Sequence, residues 1–308
     1  MADRFERKLA ILLKVESTYA TDSTPGVGDA LIAQNVTFSP MEGDDVPRDL
    51  ILPHFGSQGI TLAGTYARLE FDIEMAGAGG AGDVPRYGGA LRICGWSETV
   101  TASTDVTYTI IENGVESGSI YFVMDGVRHV MLGSRGNVTM TLNAKGNPQF
   151  RFTMTGLLGT ISDVTNPAVS AAALITPLHV SDTNTELTLH GWSAVAESLS
   201  IDMGNTVTRR ALIGEDSVRI TNRQATGTAV VVARSLATIN WFDIATSRSR
   251  AAMSLIHGTT AGNIVELAAP KVEIGRPTQG ASDGIVNYSL PLMLCPDTAL
   301  DELEIIVR

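Results

Sequence analysis

SGSIYFVMDGVRHVMLGSRGNVTMTLNAKGNPQFRFTMTG, Ser117 to Gly156, decides the fold, because its strands and turns are visible in the letters. Apolar and polar residues alternate in short runs, the mark of half-buried strands, and Asp125-Gly126 between two runs marks a tight hairpin. IYFVM and VRHVML flank that turn, Gly133 to Gly136 interrupts the chain, and NVTMTLN and FRFTMT flank a second turn at Lys145-Gly146-Asn147. The pattern predicts four strands. On the last two, Val138, Met140, Leu142, Phe150, Phe152 and Met154 form the expected core face. Thr139, Thr141, Arg151, Thr153 and Thr155 form the opposite, mostly hydroxylic face, by the period of two.

The pattern returns near the C-terminus. MSLIHGTTAGNIVELAAPKVEIGRPTQGASDGIVNYSLPLML, Met253 to Leu294, has the same order of parts, with Gly258 answering to Gly126, Val272 to Val138 and Ile285 to Phe150. Upstream, NVTFSPMEGDDVPRDLIL (Asn35 to Leu52) resembles SLSIDMGNTVTRRALIG (Ser198 to Gly214). In each half a strand follows, from Thr65 and from Gly227, then a short helix candidate, Pro85 to Trp96 and Asn240 to Arg250. The first copy carries a block of extra, loop-like residues before its meander. A repeat this long sets the architecture. The expectation is a mainly β chain of two tandem, similar antiparallel β-sandwich or barrel-forming domains, each with a short flanking helix. The first spans 1–165, a connection 166–186 with Pro167, Pro177 and a small-residue run follows, and the second spans 187–308.

Composition narrows the function. A chain of 308 residues with 44% hydrophobic content can build real cores, and its abundant glycine, with few aromatics, suits short strands and many turns. A net charge of −11 opposes a phosphate-gripping surface, which needs clustered Lys and Arg. The two cysteines, Cys94 and Cys295, could pair, but read as free thiols of a reducing cytosol. The apolar part of the N-terminus, Leu9 to Leu13, is too short for an export signal, so synthesis and folding in the cytosol are expected. No run approaches the length of a membrane helix. Two glycosylation sequons, at Asn35 and Asn137, then carry no consequence.

Several motifs tempt and are set aside. Gly77 to Gly82, GAGGAG, fits a dinucleotide fingerprint, but the strand before it alternates (Leu69, Phe71, Ile73 against Arg68, Glu70, Asp72, Glu74), whereas such a strand is apolar on both faces. It reads as a glycine-rich loop. Glu70, Asp72 and Glu74 fall on one strand face, where they could hold a divalent ion, repel anions or simply be solvated. The five histidines, His54, His129, His179, His190 and His257, stand singly without zinc spacing. No nucleophile elbow or P-loop is present, so no catalytic residue, metal site or cofactor is assigned and the chain does not read as an enzyme.

LLKVESTYATDSTPG (Leu12 to Gly26), EGDDVPRDLILPHFG (Glu42 to Gly56), PRYGGALRICGW and the meander from Tyr121 to Leu142, with SLSIDMGNTV, ITNRQATGT, MSLIHGTTAGN and DELEIIV in the second half, together resemble the major tail tube protein of long-tailed, non-contractile bacteriophages and related prophages. The resemblance covers nearly the whole chain, which departs from single-domain members by its doubled length. It implies sandwich domains whose inner sheets join neighbours into a β-barrel ring, with rings stacked into a hollow tube. The implied partners are other copies of the chain, a tape-measure protein, and tail-terminator and tip proteins. Double-stranded DNA would pass through without specific binding, and no membrane is involved. The implied place is the virion tail, assembled in the host bacterial cytoplasm. With two domains per chain, three chains would close a pseudo-sixfold ring; a plain hexamer is the alternative, as is another phage structural protein, such as a capsid or tail decoration, or a β-rich binding module. The charged, proline-bearing loop from Glu42 to Gly59, with Asp44, Asp45, Arg48, Asp49, Pro53 and His54, is the candidate contact between rings or subunits. Glu70, Asp72 and Glu74 are the candidate lumen face.

Overall fold

A computed structural model describes residues 3–170 and 175–308; residues 1–2 and the small-residue run at 171–174 in the expected connection lie outside the described residues. The protein is mainly β and antiparallel throughout. The first half contains β1 (Leu9–Val15), the two-residue β2 (Ala30–Leu31), a long hairpin of β3 (Gln34–Pro47) and β4 (Ile60–Glu74), the helix α1 (Gly88–Ile93), a second hairpin of β5 (Trp96–Thr101) and β6 (Asp105–Ile110), and the meander β7 (Gly118–Met124), β8 (Val127–Asn143), β9 (Gln149–Asp163). Its strands pair in the order β3, β4, β9, β8, β7, β1.

The second half contains β10 (Thr185–Leu189), β11 (Trp192–Ser193), β12 (Ala196–Asp202), β13 (Thr206–Leu212), β14 (Glu215–Asn222), β15 (Thr226–Val232), α2 (Trp241–Ser247), β16 (Arg250–His257), β17 (Val265–Ile274), β18 (Thr278–Ser282), β19 (Ile285–Cys295) and β20 (Glu304–Val307). Here the order is β12, β15, β19, β17, β16, β10. It matches the first half strand for strand, with β18 extending the β17–β19 hairpin.

Local chemistry explains the elements. Asp125 (φ 40°) and Gly126 (φ 90°) are both left-handed, the requirement of the tight turn that matches strand twist. At Gly258 (φ 106°) a side chain would overlap the Asn263 carbonyl, so only glycine fits the corresponding turn. The alternation in the meander sorts as expected: Val138, Met140, Leu142, Phe150, Phe152 and Met154 are buried, while their hydroxylic neighbours are at least partly open.

Two expectations fail. Gly133 to Gly136 does not end a strand, because β8 runs on to Asn143, absorbing the glycines as bulges with register shifts on either side of Met131 and Leu132. Nor are the extra residues of the first copy all loop: 96–110 fold as the β5–β6 hairpin.

That hairpin joins the halves. β6 pairs with β20, which also pairs with β17. A second junction is the ladder between β8 and β12, in which Leu142 faces Leu199 and Met140 faces Ile201, all buried. A third is made by the glycine-rich loop, where Gly77 and Gly79 donate backbone N–H bonds to Asn263 Oδ1 and the Gly262 carbonyl, both at 2.9 Å. One apolar core runs through both halves.

A buried carboxylate fastens the start of the chain. Glu16 accepts from the hydroxyls of Ser117 (2.6 Å) and Ser119 (2.9 Å) and from the backbone N–H of Ala20 and Gly133, each at 2.9 Å. Glu16→Ala strands these donors in the interior, and hydrogen bonds to a charged group carry the most weight. The expected loss is about 3 kcal/mol, read as a fall in the urea midpoint at unchanged slope; an unchanged midpoint would show that the network adds nothing.

Candidate assembly surfaces

The strand that carries Glu70, Asp72 and Glu74 turns Leu69, Phe71 and Ile73 into the core. Its polar face is an ion-paired network. Arg151 Nη2 lies 2.7 Å from Glu70 and its Nη1 3.2 Å from Asp72, while Arg68 reaches Glu70 at 2.9 Å. Asn35 donates to Asp72 (2.8 Å) and Gln34 to Glu74 (3.0 Å). The hydrogen bond to Glu70 raises the Arg151 pKa above its ordinary value. Asp72 is itself buried. Among the described residues no group of three or more His, Cys, Asp or Glu side chains is placed to hold a metal ion.

Strand register carries this face across both halves, since directly opposed side chains in antiparallel strands share a side. One row runs Asp72, Arg151, Thr139, Asp202, Thr226; the next runs Glu74, Gln149, Thr141, Ser200, Thr228. Hydroxyls are the commonest groups, and the charges are the acids Asp72, Asp202 and Glu74 with Arg151 among them.

The long hairpin is the second surface. Glu42, Asp44 and Asp45, which the sequence places in a loop, lie on β3 opposite Tyr66, Ala63 and Leu62, so the tip narrows to 48–59. Arg48 N–H bonds the Gly59 carbonyl (3.3 Å), and Gln58 clasps both backbone groups of Leu50 at 2.5 Å. Asp49, Pro53 and His54 are exposed there. The stronger feature is apolar: Ile51 and Phe55 are about as exposed as side chains can be, at 102% and 106%, with Leu50 half open beside them. In the second half β13 and β14 form the counterpart, whose tip bears an equally exposed Ile213. That hairpin leans on the first half: Val218 donates its N–H to Tyr19 Oη, and its carbonyl accepts from Arg135, both at 2.6 Å.

The turn residues named from the sequence are structural fastenings. Asp125 accepts from the backbone N–H of Phe5 (2.7 Å), which with Lys8 and Asn166 holds its carboxyl below the usual range, and Gly126 N–H donates to Asn166 (2.7 Å). They tie the chain start and the segment after β9 to one hairpin. Cys94 is buried and Cys295 partly so, and both are free thiols. No described helix is long and apolar enough to cross a membrane.

Finally, open strand edges remain, on the short β2, β5 and β11, on the β13–β14 hairpin, and on the two strands that end the ladder shared by the halves. Among the described strands β3 pairs with β4 alone and β18 with β19 alone. A family model described as phage tail tube protein matches residues 7–293. No curated protein matches the chain.

Proposed function

Because the chain belongs to the phage tail tube protein family, we propose that it assembles with itself into rings of three, stacked as the hollow tube of a virion tail through which double-stranded DNA passes. The two ring positions contributed by each chain are 1–165 and 187–308, joined by 166–186. The observation that carries this reading is the β8–β12 ladder: the second half adds β12, the end strand of its own order, to the stretch of β8 (139–143) that runs on past β7. Repeating that step around an axis closes a ring, as a heterologous interface does when its rotation closes, and removes the open edges that a sheet otherwise presents.

The shared polar face suits a lumen, with Glu70, Asp72 and Glu74 on its wall. Hydroxyls, with acids in excess and the two arginines already paired to Glu70 and Asp72, offer phosphates no cluster of cations to grip. The tip at 48–59 suits contact with the next ring or subunit, because exposed apolar residues on a projecting hairpin mark an interaction surface. Tail-terminator, tip and tape-measure proteins would meet the tube at its ends and in its bore. Assembly would take place in the host cytoplasm. Negative-stain microscopy of the purified chain tests the reading: hollow tubes of uniform width are expected, and discrete particles at assembly concentrations would overturn it.

A further inference from the structure

We propose, resting on the ring reading above, that the open edge of β18 in one chain pairs antiparallel with the open edge of β3 in the next, Thr278 opposite Ser39, Gln279 opposite Phe38 and Gly280 opposite Thr37. The register comes from the chain's own internal junction, transferred by structural equivalence between the halves.

Two independent contacts fix that equivalence. At the start of each helix an aromatic ring packs on the strand that closes the meander: Tyr87 on Phe150 at 4.8 Å and Phe242 on Tyr288 at 5.3 Å between centroids. Just past each second strand one backbone bond continues the ladder, Met75 N–H to the Pro148 carbonyl (2.8 Å) and Ala233 N–H to the Val286 carbonyl (2.9 Å). Both place Tyr288 where Phe150 stands, three residues beyond the Ile285 that the letters align with it, because the turn at 258–264 is longer than the Asp125-Gly126 turn it answers to. The ladders then agree outward: Phe150 pairs with Ile73 and Met140, and Tyr288 with Val231 and Gln279. Leu69 pairs with Phe38 as Gly227 pairs with Ile201. So β18 corresponds to the part of β8 that receives β12, and residues 37–39 of β3 correspond to 200–202 of β12. Ile201 opposite Met140 inside the chain becomes Phe38 opposite Gln279 between chains.

The edges are fit to pair over the stretch proposed, since the prolines and acids of β3 begin only at Pro40, past residues 37–39. A sheet edge meant to stay open is guarded by lysine, proline or inward charge, yet β18 reads TQGAS and is exposed over nearly its whole length. Val36 and Phe38 on β3 are only partly buried, whereas Leu199 and Ile201 of the internal junction are fully covered. A polar row would run on from Ser289 through Thr278 to Ser39 and Arg68 of the next chain, with no like charges opposed, while Val230, Pro291 and Met293 make the same face of the second half more apolar. The junction between chains would lack one component. The β5–β6 hairpin that grips β20 has no counterpart in the second half, so the internal junction has two ladders and the external one a single ladder.

Hydrogen exchange on the unmodified chain tests this directly. Amides within 36–39 and 278–282 are expected to slow by about tenfold or more when dispersed chains become tubes, because ladder bonds set local opening. Tubes with no slowing at either segment would overturn the pairing while leaving the tube reading intact; failure of the unmodified chain to form tubes would remove both. A chemical test runs alongside, in a Cys295→Ser background. Ser39→Cys with Thr278→Cys puts thiols directly opposite, within disulfide reach, and oxidised tubes dissolved without reductant should run as covalent dimers and trimers. Ser39→Cys with Ser282→Cys, out of register on the same face, should not. Tubes of the first pair without cross-links, or equal cross-linking of both, would overturn the register.

Discussion

Chains carrying Ile51→Asp and Phe55→Asp are expected to fold as the parent does but to form no tubes. Both side chains are fully exposed within the subunit, so replacing them should shift its stability by no more than about 0.5 kcal/mol. In the tube each would be buried against a neighbour, contributing roughly 1.5–3 kcal/mol per side chain, and the loss repeats at every contact of every ring. Aspartate adds the desolvation of a charge in an apolar contact. Sedimentation and microscopy read the outcome: unchanged thermal unfolding with only dispersed chains or isolated rings is expected. Normal tubes from the double variant would remove the tip from the assembly. Alanine at the same positions should weaken assembly less, which separates lost apolar contact from added charge.

Adding cations to the shared polar face should stall DNA. In Thr153→Lys with Ser200→Lys, one lysine stands opposite Glu70 and the other between Thr141 and Thr228, so neither faces a cation across the ladder. Tubes should assemble. Each stacked ring then offers the passing duplex several new phosphate contacts, and such contacts add affinity that falls steeply with salt. Ejection from particles built with this variant is expected to slow by about tenfold at low salt and to recover as salt rises. Unchanged kinetics at low salt would take this face out of the lumen. Lysines at 70, 72 and 74 make a poorer test. Asp72 is buried against Arg151, so removing the acids leaves cations facing cations and confounds the bore with the fold.

Much of this architecture is legible in the letters, and the parts that are not share one cause. Phe150, Phe152 and Met154 alternate with Arg151 and Thr153 on a half-buried strand, and Asp125-Gly126 names its turn; both are local signals. The repeat of glycines and strands needs only the order of parts. What distant segments do to one another leaves no local trace. Nothing in Leu199 and Ile201 announces that Leu142 and Met140 will be their partners, and nothing in residues 105–110 announces β20. A glycine can end a strand or bulge it, and at Gly133 it bulges, with Glu16 accepting the N–H that leaves the ladder. The loop from Glu42 drew notice for its charges, but half of them are held in a ladder, and the feature that projects is apolar, Ile51 and Phe55. The acid row was visible as a face by its period; its neutralisation by Arg151 comes from a strand far along the chain.

The number of chains in a ring bears most directly on the whole account. Helical reconstruction of the tubes, with mass per length from scanning microscopy, counts them. The account predicts three copies of the 32.6 kDa chain per ring, arranged with pseudo-sixfold symmetry in which the halves alternate around one continuous barrel. Six copies per ring, with 187–308 set outside a barrel made by 1–165 alone, would contradict it.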